Sequence, residues 1–547
     1  MSLEPLRTAF PTIPAKEPPE PQDLGAFFIA SAALHGQKIA CEVAGRALTY
    51  EELSRLAFGV ASVILEERIS DTVSTIPILL AASRSASGYA GILGSVIAGT
   101  GFVPINLAWP HSRLDWLLQK TRCRMMIADL RGLELMGPAL QTAQSSLTVV
   151  LPEVDNVGEL RERWPAHRFI GSTDINGRQD ITTSQASPDG IAYTLFTSGS
   201  TGEPKGVQVS YAASAAMIRA MSGRYRSHEG DRFTQFADFT WDPSVVDMFS
   251  AWQCGGCVCC PSSKAALMPD KFILSARATV THLVPTTLRN LKQLGCLIPN
   301  RFPLLRFVFV GGEPFPASLA EAVQAAAPAA VVANIYGSQE YSIFSTYDWN
   351  SETSPRECHN DILPLGAPFA GSSAILLGED STVTSKVNEG ELCVSGPQLF
   401  SGYFDDPEQT KAALLADNSP GSRIYYRTGD RARRDAKSQQ LCCLGRRDSQ
   451  VKIAGIRVEL GEVEAALRKA AETESIVALG WPPVETGVEG IVAFVSDTAL
   501  SAEAIQESLR TLLPRYMVPK RLVLLAQMPR NANGKCDRKA LADQLRA

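Results

Sequence analysis

Between Ile191 and Val207 the chain reads IAYTLFTSGSTGEPKGV. The strand-like run up to Phe196 has almost no polar face to give to water, so it belongs in a sheet covered on both sides. It stops at Thr197, and the next ten residues hold three glycines, four hydroxyls and one lysine, Lys205. A hydrophobic core has no use for such a segment. From Ala26 onward the chain alternates short apolar runs with helical patterns. TIPILLAA and TVTHLV read as strands, and Tyr211 to Arg226 as a helix opened by Ser210. That alternation predicts an α/β architecture with buried, largely parallel strands. The polar stretch from Gly171 to Asp189 reads as a surface loop feeding the Ile191 strand.

Past about Gly445 the pattern changes. QVKIAGIRV reads as a strand pair turning at Gly455, and LGEVEAALRKAA puts Val463, Leu467 and Ala470 on one helical face. A strand, GIVAFV, and a helix around AEAIQESLRTLL complete a small α+β lobe. At 547 residues the chain is too long for one core. The expectation is a large multi-lobed α/β domain with mostly parallel sheets over 1–447 and a small mobile α+β domain over 448–547. Residues 1–22 carry six prolines and read as an irregular leader.

Net charge of −5 gives no basic face for nucleic acid or anionic lipid. The N-terminus shows no secretory pattern, and apolar runs such as GILGSVIAG are too short to span a bilayer. A cytoplasmic protein without nucleic-acid or membrane partners is expected. The twelve cysteines then read as reduced thiols. In CGGCVCC the four cysteines, Cys254, Cys257, Cys259 and Cys260, sit within seven residues with no second ligand pair, so buried structural thiols are expected rather than zinc. Cys442 and Cys443 read the same way.

A Gly-rich segment after a strand lets backbone N–H groups approach an anion, and Lys205 adds a charge suited to polyphosphate. The segment is not a Walker A loop, because Pro204 stands where that motif needs Gly. No G-x-S-x-G elbow occurs, which disfavours an α/β-hydrolase. The ordered string Thr197–Gly206 resembles the phosphate loop of the adenylate-forming superfamily: acyl-CoA synthetases, luciferases and amino-acid adenylation domains. Further resemblances follow in the family's order: LTYEEL, GTGFVPIN, YRTGD, GRRDSQVKIAGIRVELGEVE, LPRYMVP and NGKCDRKAL, from Leu48 to Leu541.

The resemblance implies residue roles. Thr197, Ser198, Gly199, Ser200, Thr201, Gly202 and Lys205 would hold ATP phosphates. Lys535, in NGK, would be the catalytic lysine that touches the carboxylate and the α-phosphate. Asp430 would accept both ribose hydroxyls, supported by Arg446. In NIYGSQE, Asn334 would bond the adenine, Tyr336 would stack on it, Gly337 and Gln339 would line the nucleotide, and Glu340 would ligate Mg2+. Gly311, Gly312 and Glu313 in VGGEP would pack against the purine. One departure stands out: the family's usual Pro-Thr before the glutamate is Ser338-Gln339 here.

Asp242 matches the aspartate with which amino-acid adenylation domains hold the substrate's α-ammonium, a cation that needs a buried partner. Its alternative is a helix N-cap. The remaining pocket positions implied are Pro243, Val246, His282, Val308, Val310, Ile335, Ile343 and Phe344. That lining is mostly apolar, with no second acid, no lysine and one polar member, His282, so a neutral amino acid is expected. The family's small lobe rotates about a hinge, here Asp448, presenting either Lys535 or the KIAGIRVEL strand, where Gly455 would let a pantetheine arm approach. No serine follows Lys535, so the thiol acceptor is expected on a separate carrier protein, whether the chain is free-standing or excised from a larger synthetase. The implied function is activation of a neutral amino acid with ATP and Mg2+, then transfer to the carrier's phosphopantetheine thiol. The alternatives are a carboxylic acid–CoA ligase of the same fold and a catalytically silent nucleotide-binding relative.

Overall fold

The computed structural model describes residues 22–70, 77–176, 181–199, 203–378, 388–416, 423–446, 450–484, 486–529 and 536–546. The expected leader lies almost wholly outside them. Two large sheets organise the N-terminal part. One has nine strands. Its parallel centre comprises Ile39–Val43, Cys257–Cys259, Arg232–Thr234, Val280–Leu283, Phe307–Gly311 and Val331–Ser338, in that spatial order. Antiparallel strands close both edges. The other has eight strands, parallel from Ile191–Thr197 through Phe102–Pro104, Ile78–Ala81, Met125–Ala128 and Thr148–Val150 to Arg168–Ile170. The Ile191–Thr197 strand is buried at all but its first residue, as its lack of a polar face requires.

Local signals account for several elements. The helix Tyr211–Tyr225 starts where the Ser210 side chain accepts from the Ala213 N–H. The hairpin Gln450–Ile453/Ile456–Glu459 turns at Gly455, whose φ of +79° lies in the left-handed region. The helix Leu460–Ala471 buries Val463, Leu467 and Ala470, the face expected from the sequence. Two features extend the sequence reading. Ser172–Ile175 forms one helical turn inside the expected 171–189 loop. A third, antiparallel sheet joins Ser373–Leu377, Glu389–Ser395, Ile424–Arg434, Leu414–Ala416 and Leu441–Arg446.

The buried apolar clusters formed by residues 24–441 share no member with those formed by residues 453–541. The latter surround a three-stranded sheet, Ile476–Gly480, Ile491–Val495 and Arg521–Leu524. All twelve cysteines are free thiols, and Cys257, Cys259, Cys260 and Cys442 are buried, while Cys254 and Cys443 are half-buried. Burial pushes the Cys41 and Cys260 thiols up from their usual range. Among the described residues no helix is long and apolar enough to cross a membrane.

Candidate active site

Parallel strands leave their carboxyl ends open where the chain turns away, and ligands gather there. At those ends a cavity of about 430 Å³ opens between the two large sheets. Thr197 and Ser198 enter it from the Ile191 strand, Gly311 and Gly312 from the Phe307 strand, and Tyr336, Gly337 and Gln339 from the Val331 strand. Asp242, Pro243, Val246, His282, Ile335, Ile343, Asp430 and Arg446 line it too. Residues from opposite ends of the sequence thus face one space.

Asp242 is the first residue of the helix Asp242–Gln253, while the cap position falls on Trp241. Its carboxyl faces the cavity, and burial raises it from its usual value to about 6, partly offset by His282. Asp430 accepts from the Tyr336 hydroxyl and from Arg446, each at 2.6 Å, one on each oxygen. A carboxylate has about four lone-pair sites, so both oxygens keep room for further donors.

Glu340 is fully buried. Lys205 Nζ reaches its Oε1 at 3.0 Å, the Tyr403 hydroxyl donates to the same oxygen at 3.0 Å, and Arg457 grips both oxygens at 3.0 and 3.1 Å. Burial alone would raise this carboxyl; Arg457 and Lys205 outweigh it and hold it far below the usual range. Lys205 also lies 4.6 Å from the centroid of the Tyr403 ring, and burial lowers its ammonium despite Glu340.

Arg457 belongs to the C-terminal hairpin, and that hairpin fills one wall. Lys452, Ala454, Gly455, Ile456, Arg457 and Tyr516 all line the cavity. Ser198 Oγ donates to the Arg457 carbonyl and accepts from the Glu459 N–H, both at 3.1 Å. The Gly455 N–H donates to Glu313 at 2.5 Å, and Glu313 also accepts from Thr286. A Cβ at Gly455 would stand 2.5 Å from Val284 Cγ1. Behind the loop, Arg113 pairs with Glu462 at 2.7 Å, both side chains buried, and the other Glu462 oxygen accepts the Gly199 N–H at 3.2 Å. The small lobe therefore presents its Gly455 hairpin to the cavity. Elsewhere in that lobe Cys536 packs with Met528 and Leu541, none of which lines the cavity.

Several expected residues sit elsewhere. Val308 and Val310 do not line the cavity; they pack into the core cluster with Leu283, Leu288 and Phe315. Strand alternation explains it, since Gly311 is on the cavity face and residues one and three before it point away. Phe344 is fully buried behind Tyr336 and Tyr341. Asn334 is buried too, and donates to the Pro364 carbonyl at 2.8 Å. Gln339 donates to the Thr240 carbonyl at 3.4 Å, and its buried Oε1 has no partner. Ser200, Thr201, Gly202, Asp448 and Lys535 lie outside the described residues.

Sequence reasoning passed over Arg113, Arg457, Glu462, Lys452 and Tyr403. It also missed Asp238 and Asp247, which with Lys452 correct the expectation of a lining with no second acid and no lysine. Asp247 lines the cavity one residue after Val246, with Oδ1 3.7 Å from His282 Nδ1. The only signal for it was its place one turn along the helix from Pro243.

Comparison with known proteins agrees with this geometry. The AMP-binding enzyme family model matches residues 28–404, and the model of that family's C-terminal domain matches 462–535. The L-proline–[L-prolyl-carrier protein] ligase of Pseudomonas fluorescens is 31% identical over 475 residues, 86% of this chain and 89% of that protein. Tyrocidine synthase 1 of Brevibacillus parabrevis is 28% identical over 94% of this chain, which spans only 44% of that longer protein. Among solved structures, the Vibrio cholerae adenylation domain AlmE in complex with glycyl-adenosine-5'-phosphate superposes with a TM-score of 0.86 at 29% identity, covering 96% of this chain and 98% of that one. Matched along most of its length by that model, and by relatives collinear with both its lobes, the chain belongs to the AMP-binding enzyme family.

Proposed function

We propose that this enzyme activates a neutral amino acid with ATP, forming aminoacyl-AMP and pyrophosphate, and passes the aminoacyl group to the phosphopantetheine thiol of a separate carrier protein. One observation carries the reading: Asp242 presents a carboxylate to the same cavity that Tyr336, Asp430 and Arg446 enter. An α-ammonium there gains a counter-charge that a plain carboxylic acid does not need. This favours an amino acid over the substrate of a carboxylic acid–CoA ligase. Similarity to the prolyl-carrier ligase supports the same reading.

The substrate carboxylate attacks the α-phosphorus, a P–O bond forms, and the bond to the pyrophosphate oxygen breaks. Negative charge then gathers between groups that already repel, and cations must face it. Lys205 and the loop N–H groups serve the phosphates, and Asp430 with Arg446 the ribose. Lys535 serves the reacting carboxylate and α-phosphate. Mg2+ is commonly held by one or two carboxylates plus substrate phosphates; Glu340 would be that protein ligand once Arg457 withdraws with the small lobe, because Arg457 takes both its oxygens in this orientation. When bound, the ion would neutralise phosphate charge.

The boundary near 447/448, with Asp448 as hinge, belongs to this proposal. Turning about it exchanges the Gly455 hairpin for Lys535 at the cavity. The orientation described here suits thiol attack, since a pantetheine arm needs close backbone approach. The test is amino-acid-dependent ATP–pyrophosphate exchange across the proteinogenic amino acids, with simple carboxylic acids as controls. Exchange with an amino acid that Asp242→Ala removes, while deaminated analogues keep their rate, supports the proposal. Exchange with acids lacking an amine and with none that carry one would sink it.

A further inference from the structure

The side-chain end of the cavity holds two ionisable groups that the adenylation chemistry leaves unused. Asp247 comes from the helix Asp242–Gln253 and His282 from the central strand Val280–Leu283. Their side chains are only 6% and 9% exposed, and both line the cavity. Oδ1 and Nδ1 stand 3.7 Å apart, close enough for electrostatic attraction and too far for a good hydrogen bond. The second carboxylate oxygen, Oδ2, is buried without any hydrogen-bond partner among the described residues. Val246, Ile335 and Ile343 are apolar, buried and line the same cavity.

A buried polar pair with unspent hydrogen-bonding capacity carries a cost that an apolar lining of the same shape would avoid. A ligand group that completes the pair recovers that cost. The carboxylate favours the imidazole proton on Nδ1, which leaves Nε2 as an acceptor. Burial pushes the Asp247 carboxyl up from its usual range, so it offers a side-chain ammonium only a weak counter-charge, whereas a hydroxyl can donate to Nε2 without adding charge. An aliphatic side chain would leave the pair unsatisfied.

We propose that Asp247 and His282 form a polar subsite for a hydroxyl on the substrate's side chain, so that hydroxylated amino acids are preferred to their aliphatic isosteres. This rests on the adenylation reading above and narrows its substrate class. Sites built to hydrogen-bond a substrate hydroxyl discriminate against the analogue lacking it by up to about 10⁴–10⁵. Here the imperfect pair geometry sets a lower expectation, at least about 10².

The test is kcat/KM for pyrophosphate exchange by the unmodified enzyme with threonine against valine, serine against alanine, and 4-hydroxyproline against proline. A preference of at least about 100-fold for the hydroxylated member of one pair supports the subsite. Asp247→Asn should then shrink that ratio at least tenfold, which a purely structural aspartate would not do. Equal or better rates with every aliphatic partner overturn the subsite while leaving adenylation standing. So does a clear preference for diaminobutyrate or ornithine, which would make the pair a cation site. Absence of exchange with any amino acid overturns the adenylation reading and the subsite with it. Because the ratio is read on the unmodified enzyme, a variant that fails to fold does not decide the matter.

Discussion

Arg113→Met tests how far one buried ion pair, beside the Arg457–Glu340 pair, holds the small lobe in its present orientation. Arg113 lies on the helix His111–Thr121 of the large domain, over the Trp109 ring at 4.7 Å, and Glu462 on the first turn of the helix Leu460–Ala471. Their side chains are 6% and 5% exposed, so solvent screens the pair little. Removing one partner of a buried pair costs about 3–5 kcal/mol, because the other charge is left uncompensated. That cost falls on the docked orientation alone, since a swung-out lobe returns Glu462 to water. At 1.36 kcal/mol per decade, the equilibrium constant for docking should drop by a factor of roughly 10² to 10⁴. The assay runs the half-reactions separately: pyrophosphate exchange for adenylation, and single-turnover transfer from preformed aminoacyl-AMP to a carrier protein. Transfer should fall at least about 100-fold while exchange stays within a few-fold. The double variant Arg113→Met/Glu462→Leu should recover most of the loss, because replacing both charges by apolar groups is often neutral. Unchanged transfer would refute the reasoning outright. Equal losses in both half-reactions would make Arg113 a structural residue of the large domain.

Four further expectations concern the site and the proposed catalytic lysine. Gly455→Ala places a Cβ 2.5 Å from Val284 Cγ1 at a φ of +79°, so transfer should fall tenfold or more with exchange preserved; stopped transfer kinetics read it. Lys535→Ala should give the mirror image, with exchange lost by about 10²–10³ and transfer of preformed adenylate retained. Asp242 is raised to about 6, so in the free enzyme it is protonated below that pH and cannot hold an ammonium. The kcat/KM for the amino acid should therefore fall about tenfold per pH unit below about 6. The same raised value means the folded state binds the proton more tightly than the unfolded chain. Asp242→Asn should thus raise Tm above pH 6 and lose that advantage below about pH 4, which thermal melts at the two pH values would test.

How much was legible follows from how local each signal is. Ser210 announces a helix because its side chain bonds an amide three residues on, and Gly455 announces a turn because few other residues take its φ. Thr197, Asp242, Tyr336 and Asp430 each stood in a short motif whose chemistry pointed to one cavity, and the strand ends bring them there. Arg113 and Glu462 are 349 residues apart, and nothing in either neighbourhood names the other. Arg457 sat in a quoted motif, yet its grip on Glu340 exists only because the lobe folds back across the large domain. Val308 and Val310 were placed one face over from where strand alternation puts them relative to Gly311. Asp247 looked like an ordinary helix residue because one turn of helix, rather than sequence adjacency, carries it to His282.

The double grip of Arg457 on Glu340 has a thermodynamic corollary. Arg457 belongs to the small lobe, whereas Lys205 belongs to the large domain. Any cation that withdraws Glu340 from Arg457 weakens lobe docking, and linkage makes the effect reciprocal: docking weakens that cation's hold by the same factor. The Gly199 N–H held by Glu462 obeys the same arithmetic toward phosphate. Under the proposed rotation, ion and phosphate concentration would bias the position of a whole lobe through the partner that a single buried carboxylate keeps.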